Sequence, residues 1–147
     1  METKPAWQRR ARGFSLIELI VVIAVAAVLL RIAIPSYLAY VEKARRPEAK
    51  TALLDLAARE ERFYTQNNYY TADPVALGYG ATATFPVNLG GGPDYLLSVT
   101  TPAAGVKGTS YTLTATAANG QTADACGNYT LDNLGNQTNS TSATGCW

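Results

Sequence analysis

The chain has 147 residues, 48% of them apolar, with 12 basic and 11 acidic side chains, two cysteines and no histidine. That length supports one ordinary domain rather than two full cores, and zinc sites built on Cys/His spacing are excluded. The net charge of +1 is unevenly placed: four of the basic residues (Lys4, Arg9, Arg10 and Arg12) and only one acid (Glu2) precede residue 14, which leaves 8 basic and 10 acidic side chains in the remainder. From Phe63 onward the single basic residue is Lys107, against Asp73, Asp94, Asp124 and Asp132, so that half carries no footprint for a phosphate backbone.

After the basic segment comes FSLIELIVVIAVAAVLLRIAI, residues 14–34. As a helix it reaches roughly 31 Å, the hydrocarbon thickness of a bilayer. The positive residues precede it, so the start of the chain is expected to stay in the cytoplasm and the remainder to be translocated. Two charges interrupt the run. Arg31 falls about 26 Å along the helix, near the far interface, where its long side chain can snorkel to the headgroups. Glu18 lies one turn past Phe14 at hydrocarbon depth, and an intramembrane carboxylate is by default a functional hypothesis. Its own chain offers it a cation only if the first 13 residues are removed, because cleavage after Gly13 creates a charged α-amine on Phe14. A secretory signal peptide and a plain single-pass anchor are the rivals. The first would carry Glu18 inside its apolar region, where it weakens insertion, and the second gives Glu18 no role.

The stretch GFSLIEL, followed by the apolar run and AIPSYLAYV, resembles the type III signal sequence of type IV pilins and related pseudopilins. The resemblance implies cleavage after Gly13 by a prepilin peptidase on the cytoplasmic side, and methylation of the new N-terminal Phe14 by the same enzyme. It also implies an assembly role for Glu18, which would attract the Phe14 amine of a neighbouring subunit. In a low-dielectric bundle a lone carboxylate costs several kcal/mol, and pairing recovers much of it. Glu18 would thereby set the axial offset between subunits.

Pro35, which lacks an amide hydrogen and clashes with the preceding turn, is expected to end or kink the anchor helix. Pro47 would add a kink or open a new helix at its first turn. From Glu48 to Thr65, Ala49, Ala52, Leu53, Leu56, Ala57, Phe63 and Tyr64 recur at helical spacing. Arg59, Glu60, Glu61 and Arg62 flank that stripe and read as a solvated face. The segment REERFYTQNNYYT resembles minor pilins of the PilE type. Residues 66–93 are rich in Gly and Pro and are expected to be mostly loop, at the position of the pilin αβ-loop. Of their aromatics, Tyr69, Tyr70 and Tyr79 are expected to pack inward rather than face a neighbour.

Three strands are expected next: Tyr95–Thr101, Thr109–Thr116 and a third from Tyr129 to Leu131. In the second, Tyr111, Leu113 and Ala115 alternate with Thr112, Thr114 and Thr116. Asn119-Gly120 marks a turn. Cys126 and Cys146 read as a disulfide in an exported chain, two free thiols being the alternative. In pilins the matching disulfide bounds the exposed D-region, and the order Cys, LDNLG, CysTrp again resembles the PilE type. The Asn-X-Ser/Thr triplets at Asn128, Asn136 and Asn139 read as polar loop composition.

The expected architecture is therefore α+β: a type IV pilin fold in which a long N-terminal helix packs on a small antiparallel sheet. It is divided as leader (1–13), transmembrane and filament-core helix (14–35), amphipathic helix (36–65), and a loop, sheet and disulfide-bounded region (66–147). The expected role is a structural pilus subunit, a minor pilin needed for assembly; a major pilin, a type II secretion pseudopilin and a DNA-uptake pilin are the alternatives. The disulfide favours a pilin over the main pseudopilin. The expected partners are other pilin subunits, the prepilin peptidase, the inner-membrane assembly platform and inner-membrane lipid before assembly. The absence of Lys and Arg between Cys126 and Cys146 argues against direct DNA binding. No catalytic constellation, metal site or cofactor motif is found. The chain is expected in the bacterial inner membrane, its N-terminus cytoplasmic and its head periplasmic, and afterwards in the extracellular pilus.

Overall fold

The computed structural model describes residues 13–80, 85–87 (backbone alone), 92–102, 108–141 and 143–147. Its elements are α1 (Leu16–Asn67), β1 (Phe85–Val87), β2 (Tyr95–Thr100), β3 (Thr112–Ala117), a 3-10 turn (Asn119–Ala123), β4 (Tyr129–Asp132) and β5 (Gln137–Asn139). Two units are distinguished, the first ending at Leu38 and the second running from Ala39 to Trp147.

In the first unit, Leu, Ala, Val and Ile sustain the helix, and every described residue is exposed. The run is long and apolar enough to cross a membrane. The helix continues through both Pro35 and Pro47 and ends at neither. Pro35 has no amide to bond the Arg31 carbonyl, and the hydrogen-bond ladder is interrupted there while the helical path goes on. The helix ends at Asn67. Asn68 follows in the left-handed conformation (φ 59°), its amide bonding the Tyr64 carbonyl at 2.7 Å, a common helix stop.

In the second unit the strands form one antiparallel meander in the order β1-β2-β3-β4-β5. Alternation is as expected in β3: Leu113 and Ala115 are buried, whereas Thr112 and Thr116 face solvent. Register aligns Leu97, Ala115 and Tyr129 across β2, β3 and β4, and Val99, Leu113 and Leu131 beside them. Ala49, Leu53 and Leu56 of α1 are fully buried in one cluster with Tyr95, Leu97, Leu113, Ala115, Tyr129 and Leu131. The Tyr129 ring makes edge contacts with Tyr95 and Trp147 at 5.9 and 5.5 Å. The helix thus lies on the sheet, an α+β arrangement.

Two strands had not been expected. Phe85–Val87 is an edge strand, the place where a proline such as Pro86 does least harm to a ladder. Gln137–Asn139 is the opposite edge, formed by polar residues that pair with Leu131, Thr130 and Tyr129. The loop aromatics do turn inward: Tyr70 is buried, and Tyr69 and Tyr79 are partly so. Tyr70 forms a bridge with Gly108, its amide bonding the Gly108 carbonyl at 2.8 Å. A Cβ on Gly108 would lie 3.0 Å from the Thr101 Cβ and 3.2 Å from the Ser110 carbonyl, which accounts for glycine at this crossing. Lys107 and residues 1–12 lie outside the described residues.

Candidate functional site

The segment that carries the expected chemistry opens α1. Gly13, Phe14 and Ser15 precede the helix, and the Ser15 carbonyl accepts the Leu19 amide at 3.2 Å, which places Ser15 at the N-cap position. Phe14 is 80% exposed. Among the described residues a Cβ added to Gly13 would meet no atom within 4 Å, so neither their packing nor a special backbone angle requires glycine here. Glu18 follows Phe14 by one turn, and neither Glu18 nor Arg31 has an ion-pair partner among the described residues. The geometry is a bare apolar rod with one acid near its start and one base near its far end.

The second unit shows how the head is fastened to its part of α1. Arg46 Nε donates to both oxygens of Asp124 at 3.0 Å, Arg46 Nη2 adds a further bond, and the Asp124 side chain is fully buried. Arg45 Nη1 bonds Asp94 at 2.6 Å. Gln121, also fully buried, donates to the Glu42 carbonyl at 2.8 Å. Three polar clasps therefore join the turn at Glu42–Arg46 to the start of β2 and to the 3-10 turn. Sequence spacing gave no sign of them, because their partners are 49 to 79 positions apart.

One expectation is corrected. Glu60 is not on a solvated face: it is completely buried, four residues past Leu56 and seven past Leu53, on the same stripe. Its Oε2 accepts the Thr71 amide at 3.2 Å, and its Oε1 has no hydrogen-bond partner among the described residues. Burial pushes the carboxyl up to about 7, opposed by the Thr71 amide and reinforced by Glu61. Glu61 is exposed and accepts hydrogen bonds from the hydroxyls of Tyr70 (3.0 Å) and Tyr111 (3.3 Å). Burial and that acceptor raise the Tyr70 hydroxyl to about 12.

Cys126 and Cys146 are bonded, with Cα atoms 5.7 Å apart. The described part of the enclosed segment is held by its own hydrogen bonds. Asp132 Oδ1 accepts the amides of Leu134 and Asn136, which caps the β4–β5 turn. Trp147 Nε1 donates to the Thr138 carbonyl at 2.7 Å. Among the described residues no group of His, Cys, Asp and Glu is arranged to hold a metal ion.

An exposed apolar helix continuing into a helix-on-sheet head with a C-terminal disulfide defines a class: subunits with an N-terminal anchor and a small α+β head. Residues 8–33 match the model described as the prokaryotic N-terminal methylation motif. Residues 35–130, more than half of the chain, match the model described as type IV minor pilin ComP, DNA uptake sequence receptor. The chain belongs to the type IV pilin family, a structural family rather than an enzymatic one. It is 34% identical over 70 residues to the type IV major pilin protein PilA of Myxococcus xanthus, covering 48% of this chain and 32% of that one. It is 36% identical over 81 residues to the type IV wide pilus major component PilA4 of Thermus thermophilus, covering 55% and 62%. With the fimbrial protein EcpC of Eikenella corrodens it shares 33% over 97 residues, covering 66% and 58%. The matched stretches thus span between about a third and three-fifths of these relatives' lengths.

Proposed function

We propose that this chain is a prepilin whose leader is cut after Gly13 by a prepilin peptidase, whose new N-terminal Phe14 is methylated, and which enters a type IV pilus as a minor subunit. The observation that carries this is the bare junction itself: a glycine that nothing among the described residues requires, followed by an exposed Phe14 and by Glu18 one turn on. Before assembly residues 14–35 would sit in the inner membrane, with the leader cytoplasmic and the head periplasmic. Glu18 would then trade lipid for the Phe14 amine of a neighbouring subunit. A continuous helix with its ladder interrupted at Pro35 offers the assembly platform and the filament a place to bend α1.

The test is quantitative mass spectrometry of sheared filaments from cells carrying the native chain, Glu18→Ala or Glu18→Gln. The native chain should be present at well below the abundance of the dominant subunit, and both variants should be strongly depleted from filaments while persisting in membranes. Native-like incorporation of Glu18→Gln would refute the role of the carboxylate, and a chain that dominates the preparation would make it a major pilin, as two of the relatives are named.

A second reading is a DNA-uptake pilin, favoured by the description of the family model over residues 35–130. Against it stand the absence of Lys and Arg between Cys126 and Cys146 and the commitment of Arg45, Arg46 and Arg59 to Asp94, Asp124 and Asp55. Tight, salt-sensitive binding of duplex DNA by the purified head would establish it.

A further inference from the structure

We propose that Arg31 is a second register charge of the filament, pairing with Glu18 of a second, parallel copy of this chain displaced by 13 residues along the helix axis. The proposal rests on the reading of the chain as a pilus subunit.

Arg31 and Glu18 are the two charges of an otherwise apolar, fully exposed helical stretch, and they have opposite sign. In the bilayer every copy is anchored at one depth. Arg31 and Glu18 then stand about 20 Å apart along the axis, Arg31 near the far interface and Glu18 at hydrocarbon depth towards the other side, and cannot meet between copies. Arg31 reaches the headgroups there and is satisfied. Extraction into a filament removes those headgroups. A guanidinium packed among apolar helices without a counter-charge is costly, whereas a paired one is tolerated.

Helical geometry says which surface each charge occupies. At about 100° per residue, 13 residues turn through about 220°, so Glu18 and Arg31 lie on nearly opposite faces of α1. A head-to-tail contact, the kind that builds open filaments, joins two different faces of identical subunits. An axial shift of about 20 Å brings the Arg31 face of one copy level with the Glu18 face of the next. The stretch between them precedes Pro35, so the spacing is that of uninterrupted helix. A carboxylate has two oxygens, so Glu18 can serve both an Arg31 guanidinium and the Phe14 amine.

The test uses two tagged copies in one cell, both overproduced to the level of the dominant subunit so that copies of this chain adjoin in the filament, one carrying Val21→Cys and the other Ile34→Cys. These positions lie three residues past Glu18 and Arg31 and keep the same 13-residue offset. In sheared filaments a short thiol cross-linker should join the two different copies, and the link should be absent from the membrane pool. In parallel, Arg31→Leu should lower the ratio of filament to membrane chain by at least about ten-fold, and Arg31→Lys should restore most of it, since only the charge matters to a register contact. Links between like positions, links from position 34 to a cysteine placed at Val41, or no link between copies that are both in filaments would overturn the proposal. So would native incorporation of Arg31→Leu. If neither copy reaches filaments while both remain in membranes, the failure lies with the subunit reading itself.

Discussion

Replacing Glu60 by Gln should remove a pH dependence from the stability of the head. Glu60 is fully buried, one of its oxygens accepts only the Thr71 amide, and the other has no partner among the described residues. The groups around it leave ionisation unfavourable. Glu61 adds a like charge, while the hydroxyls of Tyr70 and Tyr111 donate hydrogen bonds to Glu61 rather than to Glu60. The carboxyl is therefore raised from 4.5 to about 7, with burial the main cause. A group whose folded value is raised stabilises fully below its unfolded value, and that contribution is lost as pH climbs through the folded value. The head should accordingly be most stable near pH 4.5 and lose roughly 2–3 kcal/mol between pH 5 and pH 8. Glu48 is shifted in the same direction, also mainly by burial. Asp55 and Asp132 are shifted below 3.8 and act outside this window. The assay is urea denaturation of residues 39–147 at pH 5, 6, 7 and 8, native against Glu60→Gln. The two curves should converge at low pH relative to their separation at pH 8, with the Gln variant much flatter. Parallel curves would show that Glu60 is hydrated or paired when ionised, and would refute the reasoning.

Substituting Arg46 by Leu strands the buried Asp124 carboxylate and should cost about 3 kcal/mol, read from the urea midpoint; Asp124→Asn should cost less. The exposed Asp55–Arg59 pair is the contrast, and Asp55→Asn should change stability by less than about 1 kcal/mol. Replacing both Cys126 and Cys146 by Ser should lower stability by roughly 3 kcal/mol in the chain-entropy account of a loop this long, and should leave the clasps at Arg45 and Arg46 formed, which proteolysis of the residue 126–147 segment against the rest of the head can verify.

What could be seen in the sequence follows from what is local. The anchor was legible because 21 apolar residues need no partner to declare themselves. Strands β2, β3 and β4 were legible because alternation is written into them, as in Leu113 and Ala115 of β3. The inward turn of Tyr70 could be anticipated, though not its bridge to Gly108. By contrast, β5 is made of Gln, Thr and Asn, and it exists because β4 presents an unpaired edge to it. Phe85–Val87 was hidden by Pro86, which only an edge position tolerates. Glu60 was misplaced because a charged residue beside Arg59, Glu61 and Arg62 looks like surface, although its spacing from Leu53 and Leu56 put it on the buried stripe. The spacing outweighed the charge because the Thr71 amide supplies one bond and protonation removes the rest of the penalty. The clasps of Arg45 and Arg46 were hidden because nothing near them in the chain names Asp94 or Asp124.

Cleavage between Gly13 and Phe14 is tested most directly by the mass of the N-terminal peptide of this chain recovered from sheared filaments. A peptide that begins at Phe14 and carries one added methyl group on its α-nitrogen is the predicted result. A chain in filaments that retains Met1–Gly13, or that begins at any other residue, would contradict it.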